Sequence, residues 1–224
     1  MSKLLEEILS DENVELALEK VKAKKGKSGI DGITVKEIDA YMRENWTTIR
    51  DKIRRRRYTQ KPVRRVEIPK PDGGIRKLGI PTVADRVIEQ AIAQVLTPIV
   101  EPYFSEYSYG FRPKRRAQQA ILKLLEYFND GYTYIVDIDL EKFFDQVPQD
   151  RLMSLVHKLI NDPDTESLIR KYLNAGVMIE DQYEETLTGT PQGGNLSPLL
   201  ANVYLNEFDQ EFNKRGVPCI RYAE

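Results

Sequence analysis

One cysteine, one histidine and one tryptophan in 224 residues remove several kinds of chemistry before any motif is read. Cys219 has no second cysteine to pair with, so no internal disulfide framework holds the chain. His157 alone cannot furnish a His-rich metal site, and it argues against a Ser-His or Cys-His catalytic pair. No apolar run approaches the roughly 20 residues that a membrane-spanning helix needs. The first residues, Met1-Ser-Lys-Leu-Leu-Glu-Glu7, are too charged for a secretory signal. Gly/Ser linkers, low-complexity stretches and internal repeats are also missing. With 41% hydrophobic residues the chain can bury a sizeable core, and a cytoplasmic protein without membrane contact is the expectation.

The net charge of −1 conceals an asymmetry. Between Arg43 and Lys77 there are thirteen Lys/Arg against four acids, a net of +9, so the remainder carries −10. Arg54, Arg55, Arg56 and Arg57 are consecutive, and Lys61, Arg64 and Arg65 follow closely. Cations are favoured in the last turn of a helix, which is the plainer explanation. Four in a row exceed that need and suit a polyanion such as an RNA backbone. Lys22–Lys27 and Arg112-Pro-Lys-Arg-Arg116 carry weaker versions of the same signal.

Punctuation and periodicity predict an α+β chain rather than strict strand–helix alternation. Ser10 or Asp11 caps a helix with Val14, Leu18 and Val21 on its apolar stripe, and Thr34 with Glu37 forms a capping box for the next. Residues 63–69 and 75–81 read as strands joined by Lys70-Pro-Asp-Gly-Gly74, in which proline fixes φ and glycine supplies positive φ. Thr82 starts a long helix to about residue 99, and another runs from about 116 to 128. Residues 134–139 alternate as a strand. Helix is expected over 150–174 with a break near Asn161–Asp164, a hairpin over 177–187, and a last helix from Ser197 to Lys214.

Three constellations bear chemistry. In Tyr134-Ile-Val-Asp-Ile-Asp-Leu-Glu-Lys-Phe-Phe-Asp145 the strand period of two puts Asp137 and Asp139 on one face, before a turn with two adjacent aromatics. Burying unpaired carboxylates is costly, so such acids want a partner unless they are simply solvated. The loop Gly189-Thr-Pro-Gln-Gly-Gly-Asn-Leu-Ser-Pro198 holds more glycine and proline than a plain connection needs, and Gln192 stands on it with its amide free for a nucleotide or template. Lys70 and Arg76 flank the hairpin turn, where two cations on one side suit a triphosphate. The chain closes on Ile220-Arg-Tyr-Ala-Glu224, a second strand-like segment ending on a carboxylate.

In this order, Arg64 to Pro81, Tyr109-Gly-Phe-Arg-Pro113, Asp137 to Asp145 and Gly189 to Leu200 resemble the bacterial group II intron-encoded reverse transcriptases, the intron maturase family. The resemblance covers essentially the whole chain. It implies a right-hand polymerase in which residues 1–60 are a helical N-terminal extension, 61–130 the fingers and 131–224 a palm that stops at its third catalytic motif. The family sets an aromatic steric gate five residues after the metal-binding aspartate of the first palm motif. Phe144 lies five after Asp139, so Asp139 and the Leu140 carbonyl are implied as metal ligands, and Asp137 is demoted. Phe144, with Phe143 beside it, is implied to exclude a ribose 2′-hydroxyl. Lys70 and Arg76 fall on triphosphate-contacting positions, and Gln192 on the nucleotide-adjacent glutamine.

The resemblance further implies two Mg²⁺ ions, dNTP substrates, an RNA template with a DNA primer, and group II intron RNA as a partner. RNA contacts are expected from Arg54 to Arg57, Lys61, Arg64, Arg65 and Arg112. One departure stands out: the family's Tyr-Ala-Asp-Asp is here Tyr222-Ala223-Glu224, so Glu224 takes the place of the first aspartate. The expectation is therefore an incomplete fragment with exposed surface prone to homodimerisation. Two other readings are an RNA-binding platform acting chiefly in intron splicing, and a related reverse transcriptase of a CRISPR-associated or diversity-generating element.

Overall fold

The computed structural model describes residues 1–69, 73–191 and 193–224. Its N-terminal third is helical: α1 (Lys3–Ile8), α2 (Asp11–Ala23) and α3 (Ile38–Arg54). The hairpin β1 (Val63–Pro69) and β2 (Ile75–Ile80) leads into α4 (Val83–Val100) and a 3₁₀ turn at Glu101–Tyr103. Next come α5 (Ala117–Asn129), the single turn α6 (Phe143–Gln146), α7 (Gln149–Ile160) and α8 (Pro163–Leu173). The short hairpin β3 (Val177–Ile179) and β4 (Gln182–Glu184) precedes α9 (Ser197–Lys214).

Helix α4 is the axis of the core. Val83, Val87, Ile88, Ala91, Ile92 and Leu96 are buried, and so are Asp85, Arg86 and Glu89. A helix covered on all sides must be surrounded, and α1, α2, α3, α7 and α9 all pack against it. Its start follows the capping chemistry, since the Thr82 hydroxyl oxygen accepts the Asp85 N–H at 3.1 Å. Ser10 caps α2 in the same way. Asp162 starts α8 by accepting the Thr165 N–H at 2.8 Å, after Asn161 turns the chain with φ +44.

The four strands form one sheet in the order β2-β1-β3-β4. β1 and β2 are antiparallel, from Arg64 opposite Ile80 to Pro69 opposite Ile75. β1 then pairs in parallel with β3 through Val63 opposite Val177. The sheet thus ties the first hairpin to the segment that leads into the Gly189–Asn195 loop.

Two expectations are corrected. Thr34 and Glu37 do bond, but one-sidedly: Glu37 Oε2 accepts the Thr34 N–H at 2.9 Å and its hydroxyl at 2.7 Å. They close a turn, and α3 starts only at Ile38. Residues 134–139 form no strand: they carry no ladder, and Tyr134 and Val136 are 94% and 83% exposed. Alternating apolar residues make a strand only when a neighbour completes the hydrogen bonds, and none of the described residues does so here. The segment Ile220–Glu224 has a single parallel bridge, Arg221 opposite Ser108.

Candidate active site

Three of the residues singled out in the sequence meet in one electrostatic neighbourhood. The Glu224 carboxyl is pushed above the usual carboxylate range, first by partial burial and then by the negative charge of Asp139, while Arg76 pulls it back. Asp139 is exposed and enters from residues 132–140, Glu224 from the terminal segment, and Arg76 from β2. Like charges held close disfavour double ionisation unless a cation separates them. Two carboxylates with the nearby Leu140 carbonyl are an oxygen-only donor set. That set fits a hard cation that keeps several waters.

The aromatics are fixed from below. Phe143 and Phe144 are buried, with ring centroids 5.5 Å apart, and Phe143 also lies 6.0 Å from Tyr204 of α9. Lys142, with φ +51, turns the chain into α6. The loop ahead of Gln192 clamps that turn: Gly189 N–H donates to Val147 O at 2.8 Å and Thr190 N–H to Phe144 O at 2.7 Å. Gly189 has φ +81, and a Cβ there would lie 2.6 Å from the Phe144 carbonyl oxygen, so only glycine fits. A cleft of about 280 Å³ opens between this clamp and the first hairpin, with Phe144, Gly189, Arg65 and Lys77 on its walls. Arg65 opposes Gly79, and Glu67 opposes Lys77, so Arg65 and Lys77 share one face of the hairpin while Arg76 lies on the other. Lys70 and Gln192 lie outside the described residues.

The basic residues are less free than the sequence alone conveys. Arg54 binds Glu6 at 2.6 Å, Arg55 binds Asp51 at 3.0 Å, Arg56 binds Asp164 at 2.5 Å and Lys61 binds Asp31 at 3.2 Å. Arg64 donates to the Ser28 carbonyl at 2.7 Å. Arg57 is exposed with no ion pair among the described residues. Such exposed pairs are worth about 0–1 kcal/mol each, so phosphates can displace them. Arg112 is different. It is buried over the Phe104 ring, paired with Glu101 at 2.8 Å and donating to the Ser105 and Ser108 carbonyls. Its guanidinium is spent on the loop it sits in, which leaves little of it exposed for the RNA contact expected of it.

The sequence pattern described as reverse transcriptase (RNA-dependent DNA polymerase) matches residues 68–224. The chain belongs to the reverse transcriptase family. It is 36% identical over 191 residues to Protein YkfC of Escherichia coli strain K12, covering 84% of this chain and 50% of that protein. It is 38% identical over 180 residues to the group II intron-encoded protein LtrA of Lactococcus lactis subsp. cremoris, covering 80% of this chain and 30% of that protein. The chain thus spans half or less of these relatives' length. A chain of a partial Cas6-RT-Cas1--Cas2 complex superposes with a TM-score of 0.64 over 99% of this chain and 37% of its own, at 24% identity. That likeness confirms the reverse transcriptase fold. The family uses divalent metal ions and binds RNA, and no helix among the described residues is long and apolar enough to cross a membrane.

One feature of this reverse transcriptase domain was not foreseen. Glu89 is fully buried in α4, and its Oε2 accepts the Asn195 N–H at 2.6 Å. The Tyr172 hydroxyl bonds Ser197 Oγ at 2.5 Å, and a Cβ on Gly194 would lie 1.9 Å from that hydroxyl. Helices α4 and α8 thereby hold the far end of the Gln192 loop. Burial, then the charge of Asp85, raise the Glu89 carboxyl well above its ordinary range, against the pull of the Asn195 N–H and Arg86. A carboxyl with a raised folded pKa favours the fold in its protonated form. Its contribution is complete below the unfolded value of about 4.3 and is lost as pH rises through the folded value. Glu89→Gln is therefore expected to be more stable than the parent at pH 7–8 and to converge with it near pH 4. Melting curves across that range check this, and a gap that widens towards acid would refute it.

Proposed function

We propose that this chain carries the nucleotide-addition site of an RNA-directed DNA polymerase encoded by a mobile group II intron. Residues 1–60 are its helical extension, 61–130 its fingers and 131–224 its palm. The observation that carries this reading is that the Glu224 carboxyl feels the charges of both Asp139 and Arg76, in a chain whose residues 68–224 match the reverse transcriptase family. Asp139, Glu224 and the Leu140 carbonyl would hold two Mg²⁺ ions. Such a pair, when bound, activates the primer 3′-hydroxyl and stabilises the leaving pyrophosphate. Arg76 and Lys70 grip the triphosphate. Phe144, backed by Phe143, blocks a 2′-hydroxyl, the group that separates ribonucleotides from deoxyribonucleotides. Gln192 lies against the incoming nucleotide. Glu224 sits where the family has aspartate and would reach the ion with a side chain one methylene longer. The test is primer extension with dNTPs on an RNA template by a polymerase of the relatives' length that carries this chain. Absence of any Mg²⁺-dependent product refutes the reading.

A second role rests on the basic stretch from Lys52 to Arg65, in which Lys52, Arg55, Arg56, Arg57 and Lys61 are exposed, and on the likeness to an intron-encoded protein. That role is binding of intron RNA to help splicing. Affinity should fall steeply with salt, by about 0.7 to 0.9 log units per log unit of salt for each phosphate neutralised. Arg57→Gln should lower the slope by about one contact, whereas Asp139→Ala should leave RNA affinity unchanged. Filter binding between 50 and 300 mM salt decides it, and a flat response removes the RNA platform. The structural neighbour from a Cas complex keeps a CRISPR-associated role in view, but on fold alone.

A further inference from the structure

Arg221 lies three residues before Glu224, and its side chain and that of Asp209 are only 8% and 4% exposed. Its Nε donates to both Asp209 oxygens at 2.9 and 3.0 Å, and one terminal nitrogen donates to Asp209 Oδ2 at 2.8 Å and Ser108 Oγ at 2.7 Å. The other terminal nitrogen donates to Asn202 Oδ1 at 3.0 Å and to the Ala223 carbonyl at 2.5 Å. One planar fork thus joins α9, the Ser108 loop and the residue immediately before Glu224. The backbone adds two bonds: Tyr109 N–H to Arg221 O at 2.8 Å, and Arg221 N–H to Tyr107 O at 3.0 Å.

Two observations show that this arrangement is directed at the terminal segment as well as at packing. Ala223 has φ +72, a left-handed conformation that costs a residue with a Cβ and persists only where its surroundings impose it. The bond from Arg221 to its carbonyl is one such restraint. Opposite it, a Cβ on Gly110 would lie 2.2 Å from Ala223 N, so the Gly110 backbone forms a wall that the segment follows. Asn202, which accepts from Arg221, also donates to Gly110 O at 3.0 Å and ties the wall to the fork.

Building on the proposed metal-binding role of Asp139 and Glu224, we propose that Arg221 is a positioning residue. Its buried guanidinium, acting through the Ala223 carbonyl and against Gly110, sets the direction in which Glu224 leaves the fold towards Asp139. A lysine would keep the charge beside Asp209 but cannot reach Asp209, Asn202, Ser108 and Ala223 together.

The test is titration of the full chain with Mn²⁺ alone, following the free-ion electron paramagnetic resonance signal, with melting curves of the metal-free proteins alongside. Arg221→Lys is expected to weaken Mn²⁺ binding about tenfold, in the range that groups orienting a ligand command. Glu224→Gln should do the same, and the double variant should bind no more weakly than Glu224→Gln alone, because Arg221 acts through Glu224. Should Arg221→Lys fail to fold, Ser108→Ala removes one leg of the fork, keeps the ion pair and should give a smaller shift of the same sign and the same non-additivity. Unchanged Mn²⁺ binding in the folded Arg221 or Ser108 variant, or an equal loss with and without Glu224, overturns the positioning role and leaves the metal site standing. If Asp139→Asn and Glu224→Gln both leave Mn²⁺ binding unchanged, the metal reading itself falls, and the inference with it.

Discussion

Asp139→Ala is expected to reduce nucleotide incorporation by a factor of about 10³ or more in a polymerase of the relatives' length that carries this chain. On the proposed metal-binding role of Asp139 and Glu224, losing one of the two carboxylates forfeits several kcal/mol of transition-state stabilisation, and each 1.36 kcal/mol is tenfold in rate. The side chain is exposed and makes no hydrogen bond or ion pair among the described residues. Stability should therefore change little, within about 0.5 kcal/mol. That separation makes the measurement decisive, because primer extension should collapse while the melting curve stays in place. Asp137→Ala should fall far short of this loss, since it is the charge of Asp139 that acts on the Glu224 carboxyl. Equal losses at the two positions would remove the distinction between them, and a fully active Asp139→Ala would remove the site.

A second large effect is expected at Phe144. Opening the gate should let ribonucleotides compete, and pocket-size discrimination of this kind is worth about 1–3 kcal/mol, or 10–200-fold. The structure determines which substitution can show it. Phe144 is buried against Phe143, so Phe144→Ala would cost about 3–5 kcal/mol of stability and blur the result. Phe144→Val keeps more of the packing while shortening the side chain. The ratio of kcat/KM for a dNTP to that for the matching ribonucleotide should fall by at least about tenfold. An unchanged ratio in a folded Phe144→Val protein would end the gate assignment.

Where the governing interaction is local, the sequence was sufficient. α2, α4 and α9 begin where Ser10, Thr82 and Ser197-Pro198 mark a start, since caps and periodicity act within a turn or two. The hairpin at 63–80 follows from its turn residues and β-branched strands. What was hidden depends on distant partners. Arg54, Arg56 and Lys61 read as a polyanion site because Glu6, Asp164 and Asp31 are far away in sequence. Arg112 read as an RNA contact, yet it is buried against Glu101 and two backbone carbonyls. Glu89 left a trace that was readable: a carboxylate in a helix that is apolar at most other positions invites a buried partner, and the Asn195 N–H is that partner. The carboxylate strand failed for the complementary reason, because alternation specifies a face but cannot supply a neighbour.

That missing ladder bears on thermodynamics. Residues 133–139 offer backbone donors and acceptors to water, so their amides should exchange with solvent orders of magnitude faster than those of α4. Fixing one residue's backbone costs about 1–2 kcal/mol in lost conformational entropy. Asp139 rides on this segment, so a nucleotide or metal that binds here must first offset the ordering of several residues, and its apparent affinity is reduced by the same amount. Any element that laddered onto this stretch beforehand would tighten substrate binding without touching the substrate.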